Sequence, residues 1–131
     1  MKRTAINPWQ WLLNFGFNQA EIIEGPHRQL VCAGQTSVDA DGNPQHQGDM
    51  RAKVSLPLDN LEAVLKAADM GLANVIRPGL FVTDMDEALK NFDILGARFW
   101  PAGVAPPMTL LGVTQLAMPP LMIEIEATAA D

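Results

Sequence analysis

Few residues of this chain combine a reactive side chain with a regular spacing, and the clearest are Glu124 and Glu126. They lie in the run LMIEIEA, where Leu121, Ile123, Ile125 and Ala127 alternate with Met122, Glu124 and Glu126. Period two over that length predicts a β-strand with one face packed on a core. The two carboxylates then share the other face, roughly 6–7 Å apart by the rise per residue. On so apolar a strand, a carboxylate either faces water, bridges subunits, or works in a site as a proton acceptor. Other candidates have less around them. Cys32 lies inside an apolar run with no histidine or basic residue beside it to lower its pKa, which describes a small hydrophobe rather than a nucleophile. His27 and His46 sit in polar, turn-like surroundings. With one cysteine and no His-x-x-x-His or Cys-x-x-Cys spacing, no transition-metal pattern exists, and neither a Gly-rich phosphate loop nor a Gly-x-Ser-x-Gly elbow is present. The expectation is a protein with no metal and no cofactor.

Composition bounds the function further. The chain has 131 residues, 48% hydrophobic and 18% charged, which predicts one globular domain over residues 1–131. No apolar run reaches the ~20 residues that span a bilayer, so no membrane partner is expected. The basic start MKRTAIN is soon broken by Pro8, Gln10 and Asn14 and lacks a small-residue cleavage site, so it does not read as a signal peptide. A lone cysteine fits a reducing compartment, and a cytoplasmic location is expected. The net charge is −6, and the nine Lys and Arg are scattered apart from the Lys2-Arg3 pair, which argues against nucleic acid as a partner.

The elements that must position these residues follow from periodicity. Arg3–Ile6 reads as a short edge strand before Pro8, followed by an aromatic cluster of Trp9, Trp11, Phe15 and Phe17 that serves packing. Glu21–Glu24 and Gln29–Thr36 read as a hairpin through Gly25-Pro26-His27. From Asp49, Val54, Leu58, Leu61, Leu65 and Ala68 form a helical stripe that Gly71 stops, with Pro57 inside it as a kink. Asn74–Thr83 reads as a strand despite Pro78-Gly79. Asp84 with Glu87 begins a second helix whose buried stripe is Met85, Leu89, Phe92, Leu95 and Phe99. The runs Met108–Leu116 and Leu121–Ala127 complete the chain as strands. The order β-β-β-α-β-α-β-β predicts an α+β fold: a mixed sheet with two helices on one face. The other sheet face, bearing Glu124 and Glu126, is left for solvent or a partner subunit. Met108, Leu110 and Met122 are too apolar for a fully wet face, which favours oligomerisation through the sheet.

Four stretches then carry a resemblance. Cys32–Asp39 (CAGQTSVD), Leu58–Leu61 (LDNL), Phe81–Asp84 (FVTD) and Ile123–Ala127 (IEIEA) resemble, in order and spacing, motifs of the Rid family, the reactive-intermediate deaminases or YjgF-like proteins. The resemblance covers about residues 15–130. It implies a chorismate-mutase-like fold and a homotrimer with three clefts at the subunit interfaces. Well-known members hydrolyse enamines and imines derived from amino acids, with an arginine that clamps the substrate carboxylate and a glutamate that positions water. The resemblance assigns the glutamate to Glu124 and the cleft-lining loop to Gly34. It sets Asn91 near a family asparagine and Phe17 where many members have tyrosine. The arginine position holds Met108, which has no charge and no donor. A missing charged partner costs about 1.5–3 kcal/mol for a carboxylate substrate, which disfavours amino-acid-derived imines.

Three readings follow. One is a hydrolase for a neutral or differently anchored imine or enamine, with Glu124 as base and Phe17, Met108 and Leu110 as pocket wall. The second is a trimer that binds a small ligand without turnover. The third takes Pro57, Pro78-Gly79 and Trp100-Pro101 as marks of an engineered pocket that uses a carboxylate as general base, against ordinary divergence with compensating packing. The ribonuclease label carried by some family members gets little support in an acidic chain with no histidine pair or lysine placed for phosphodiester chemistry.

Overall fold

The alternating C-terminal run forms the centre of the sheet. In the computed structural model, which describes residues 1–131, six strands are β1 (Lys2–Ile6), β2 (Ala20–Glu24), β3 (Gln29–Thr36), β4 (Val75–Val82), β5 (Thr109–Gly112) and β6 (Ile123–Ala130). Three α-helices are α1 (Met50–Ala67), α2 (Met85–Lys90) and α3 (Asp93–Phe99), with short 3₁₀ turns at Trp11–Phe15, Leu72–Asn74 and Trp100–Ala102. The main sheet has the order β3-β6-β4-β5. β6 runs antiparallel to both of its neighbours, and β5 lies parallel to β4.

The core occupies one face of this sheet. Ile123, Ile125, Ala127 and Ala129 of β6 pack with Leu80 and Val82 of β4 against Val54, Leu58, Leu61 and Leu65 of α1 and Leu95 and Phe99 of α3. The expected α1 stripe is thus the buried one, and Leu58, Leu61 and Leu65 have no exposed surface. Asp49 caps the helix by accepting from the Ala52 N–H at 3.1 Å. Pro57 lies inside it with its ring buried, so the lost hydrogen bond is offset by apolar burial. The helix stops before Gly71. Asp69 takes the left-handed conformation at φ 58°, and the Met70 N–H returns to Leu65 O at 2.9 Å, a conformation aspartate tolerates better than most residues.

Pairing departs from expectation in three places. β2 does not form a hairpin with β3; it pairs antiparallel with β1 in a separate two-stranded ribbon. The cause lies at the turn itself, where the His27 N–H donates to Asp131 O (2.7 Å) and the Asp131 N–H to Arg28 O (3.3 Å). Those bonds hand the chain over to β6, so β3 continues along β6 instead. The second helix divides at Asn91-Phe92, where the Asn91 side chain donates to Glu87 O at 2.8 Å and ends α2. Leu89, expected in the buried stripe, is exposed, and Ala88 is buried in its place. The expected strand Met108–Leu116 is only four residues long. Pro78 is accommodated because β5 pairs only with Gly79–Val82. At Pro78, β4 has a neighbour on one side alone, where a missing N–H is tolerated.

Leu61, in the middle of α1 beneath β6, is the side chain on which this packing most directly tests. Leu61→Ala should lower unfolding free energy by about 2–5 kcal/mol, read as a shifted midpoint in urea denaturation with an unchanged slope.

Candidate functional site

Alternation along β6 places Glu124, Glu126 and Thr128 on the face away from the helices, since their neighbours Ile123, Ile125, Ala127 and Ala129 are in the core. Register carries this face outward to both sides. Glu124 stands opposite Thr36 of β3 and Phe81 of β4, and Phe81 in turn stands opposite Leu111 of β5. Glu124 is half-buried in this open face; Glu126 is exposed.

The absence of a side chain at Gly34 gives Glu124 its room. A Cβ on Gly34 would fall 2.5 Å from the Glu124 carboxyl carbon and 2.7 Å from its Cγ, and closest of all to Oε1. The carboxylate therefore lies flat on the β3 backbone. This happens at a bulge, because the register shifts between Cys32 and Gln35, and a bulge re-aims the chain locally. Glu126 behaves in parallel on the other side. A Cβ on Gly79 of β4 would be 3.0 Å from Glu126 Oε1 and 3.1 Å from its Cγ. The two carboxylates thus lean in opposite directions across β6. They do not form a pair sharing one proton.

The remaining candidates are not gathered here. Leu110 pairs with Leu80, which faces the helices, and packs on the core; the adjacent Leu111 is the residue on the open face. Met108 also packs against the core. Asn91 is buried in the helical layer, its oxygen accepting from Arg51 at 3.3 Å. Phe17 is half-buried beside Asn18, whose N–H donates to Ala105 O at 2.9 Å. Arginines elsewhere in the chain do not obviously replace the missing clamp: Arg98 is tied to Asp59 and Glu62 of α1. Arg77 is on the open face and has no carboxylate partner, donating only to Thr109 Oγ1 at 2.8 Å. It is four residues from Phe81 along β4, about 13 Å between backbone positions by the rise per residue. Sequence reasoning did not name Thr36, Phe81 or Leu111 as site residues, and it flagged Gly79 only as part of the irregular Pro78-Gly79 step. Gly79 had a signal, a glycine inside a strand, which marks close approach as well as a break.

No cluster of three or more His, Cys, Asp or Glu side chains could hold a metal, and no helix is long and apolar enough to cross a membrane. Burial pushes the Cys32 thiol up from its ordinary value.

Comparison with known proteins agrees with this geometry. The family model described as Endoribonuclease L-PSP matches residues 15–131. The crystal structure of the Rid-family protein YyfB of Yersinia pestis superimposes with a TM-score of 0.88 at 33% identity, covering 99% of each chain. The chain belongs to the Rid, or YjgF-like, family. The YjgF structure from E. coli, at 24% identity and a TM-score of 0.70 over 87% of each chain, shares the chorismate-mutase-like α+β fold. Among curated relatives, protein DfrA of Myxococcus xanthus is 28% identical over 87% of this chain and 92% of its own length. A RutC family protein of Pyrococcus horikoshii is 29% identical over 80% and 86%. Membership supports a deaminase-like or ligand-binding role toward small molecules.

Two measurements test the site's construction. Gly34→Ala should push the Glu124 side chain out of its present rotamer at a cost of about 0.5–1.5 kcal/mol, and most of that cost should vanish in a Glu124→Ala background. A double-mutant cycle measures the coupling, expected above ~0.5 kcal/mol; additive costs would mean the two residues do not touch. Cys32, buried and with little thiolate at neutral pH, should resist iodoacetamide in the native protein and react promptly once unfolded, as read by mass spectrometry.

Proposed function

We propose that this protein hydrolyses the C=N bond of a small imine, or of an enamine through its imine tautomer, with Glu124 as the base that positions water. The observation that carries the reading is the close approach of the Glu124 carboxylate to the Gly34 backbone, with Phe81 of β4 directly opposite it on the same face. A fixed base is what such a reaction needs. Glu124 takes a proton from water as the oxygen attacks the imine carbon, and the nitrogen is protonated. Collapse of the carbinolamine expels ammonia or an amine and leaves a carbonyl. Its substrates are neutral or anchored elsewhere, since Met108 offers no donor.

The working site is a cleft between copies of a cytoplasmic homotrimer. Gly34 and Glu124 belong to the open face, whereas Asn91, Met108 and Leu110 belong to the helical side, so one copy does not gather the set. Exposed Val31 and Leu111 on the open face support its burial against another copy. A binding trimer without turnover remains the alternative, supported by the same lack of a clamp.

A panel of freshly generated imines, with and without a carboxylate, tests this. Neutral imines should be turned over, Glu124→Gln should lower the rate about 10²-fold or more, and Met108→Arg should shift preference toward carboxylates. Inertness of the unmodified protein toward every imine, with ligand binding retained, would leave the binding trimer.

A further inference from the structure

The aromatic cluster near the N-terminus is not spent on the core. Trp9, Trp11, Phe15 and Trp100 are all more than half exposed. Between the Trp11–Phe15 turn and α3, Phe15 and Trp100 border, together with Phe92, a cavity of about 360 Å³, a size that fits a small ligand. Two of these walls are held in place. Trp11 meets Phe15 edge-on, with ring centroids 6.4 Å apart at 83°. Trp100 rests on Gly16, where a Cβ would come within 3.2 Å of the indole Nε1.

Gly96 is the second observation. It lies inside α3 and lines the cavity, and nothing stands within 4 Å of where its Cβ would be. A glycine inside a helix weakens it relative to alanine, and here no packing requires one. Its effect is to leave the floor of the cavity open. The polar groups on the lining are Asn14 and Asp93. Asp93 is bound by Arg51 at 2.9 and 3.1 Å, and that hydrogen-bonded guanidinium holds its carboxyl below the ordinary range. Each carboxylate oxygen keeps a further lone pair for a second donor. Aromatic faces and a carboxylate together attract a cation.

We infer that this cavity is a binding site for a small arylalkyl amine, its ring over Gly96 between Phe15, Phe92 and Trp100 and its ammonium at Asp93 and Asn14. The site is in the helical layer and independent of Glu124.

The test uses the full chain labelled with ¹⁵N and three probes of one shape: 2-phenylethylamine, 2-phenylethanol and phenylacetate. The amine should shift the amides of Gly16, Gly96 and Ala97 saturably and bind roughly tenfold tighter than the alcohol by calorimetry, with phenylacetate weakest. Gly96→Leu, whose side chain enters open space and should leave the melting temperature nearly unchanged, should abolish binding. Asp93→Asn should bring the amine down to the alcohol's affinity, and Glu124→Gln should change nothing. The inference is overturned if the amine leaves those amides unmoved, if Gly96→Leu binds as well as the unmodified protein, or if Asp93→Asn keeps the preference for the amine. It is equally overturned if Glu124→Gln abolishes binding, or if the amides shift with protein concentration alone and the probe is excluded, which would mean that a second copy fills the cavity.

Discussion

The structure depends on β6 being flanked on both edges. Hydrogen-bonded to β3 on one side and β4 on the other, its backbone is fully committed, and its side chains have only two directions available. One direction is a core that accepts nothing polar, because an unpaired charge among Leu58, Leu61 and Leu65 would be prohibitively costly. The other must then take both glutamates. The position of Glu124 is therefore settled by the apolar residues beside it in sequence more than by any partner of its own.

The neighbouring strands complete the constraint. Side chains on a sheet normally stand off the backbone, and a glutamate on a central strand would project outward. Here Gly34 and Gly79 remove the obstacle on opposite flanks, so each carboxylate lies down over a different strand. Order at this face comes from missing atoms. The helical layer works in the usual way, by filling space, and its polar residues act mainly as joints: Asn91 ends α2, Asp49 starts α1, and Asp84 starts α2 by accepting from the Glu87 N–H.

What could be read from the sequence follows the same division. The alternation of Leu121–Ala127, the stripe from Val54 to Leu65 and the cap at Asp84 are local patterns, and each became the element it predicted. The four family motifs lie on those elements, which is why the fold was legible as well. The partner of β2 was not, because it is decided by His27 and Arg28 meeting Asp131, 104 and 103 residues away in sequence. Nor could the sequence separate Leu110 from Leu111. In a strand of four residues with two adjacent leucines, no alternation shows which faces the core, and only the pairing with Leu80 and Phe81 decides. Gly34 was noticed as part of a loop, but its contact with Glu124 crosses between strands and leaves no periodic trace.

The bulge at Ala33-Gly34 also bears on how β3 can change in length. Three steps along β3, from Cys32 to Gln35, match two along β6, from Ala127 to Ile125. Removing one residue within the bulge, Ala33 or Gly34, would make the two counts equal and restore a regular ladder with Cys32 still opposite Ala127 and Thr36 still opposite Glu124. A deletion outside the bulge would instead turn the residues on one side of the cut to the opposite face. A chain one residue shorter at the bulge would therefore keep both faces of β3 and change only the stretch of backbone that lies against Glu124.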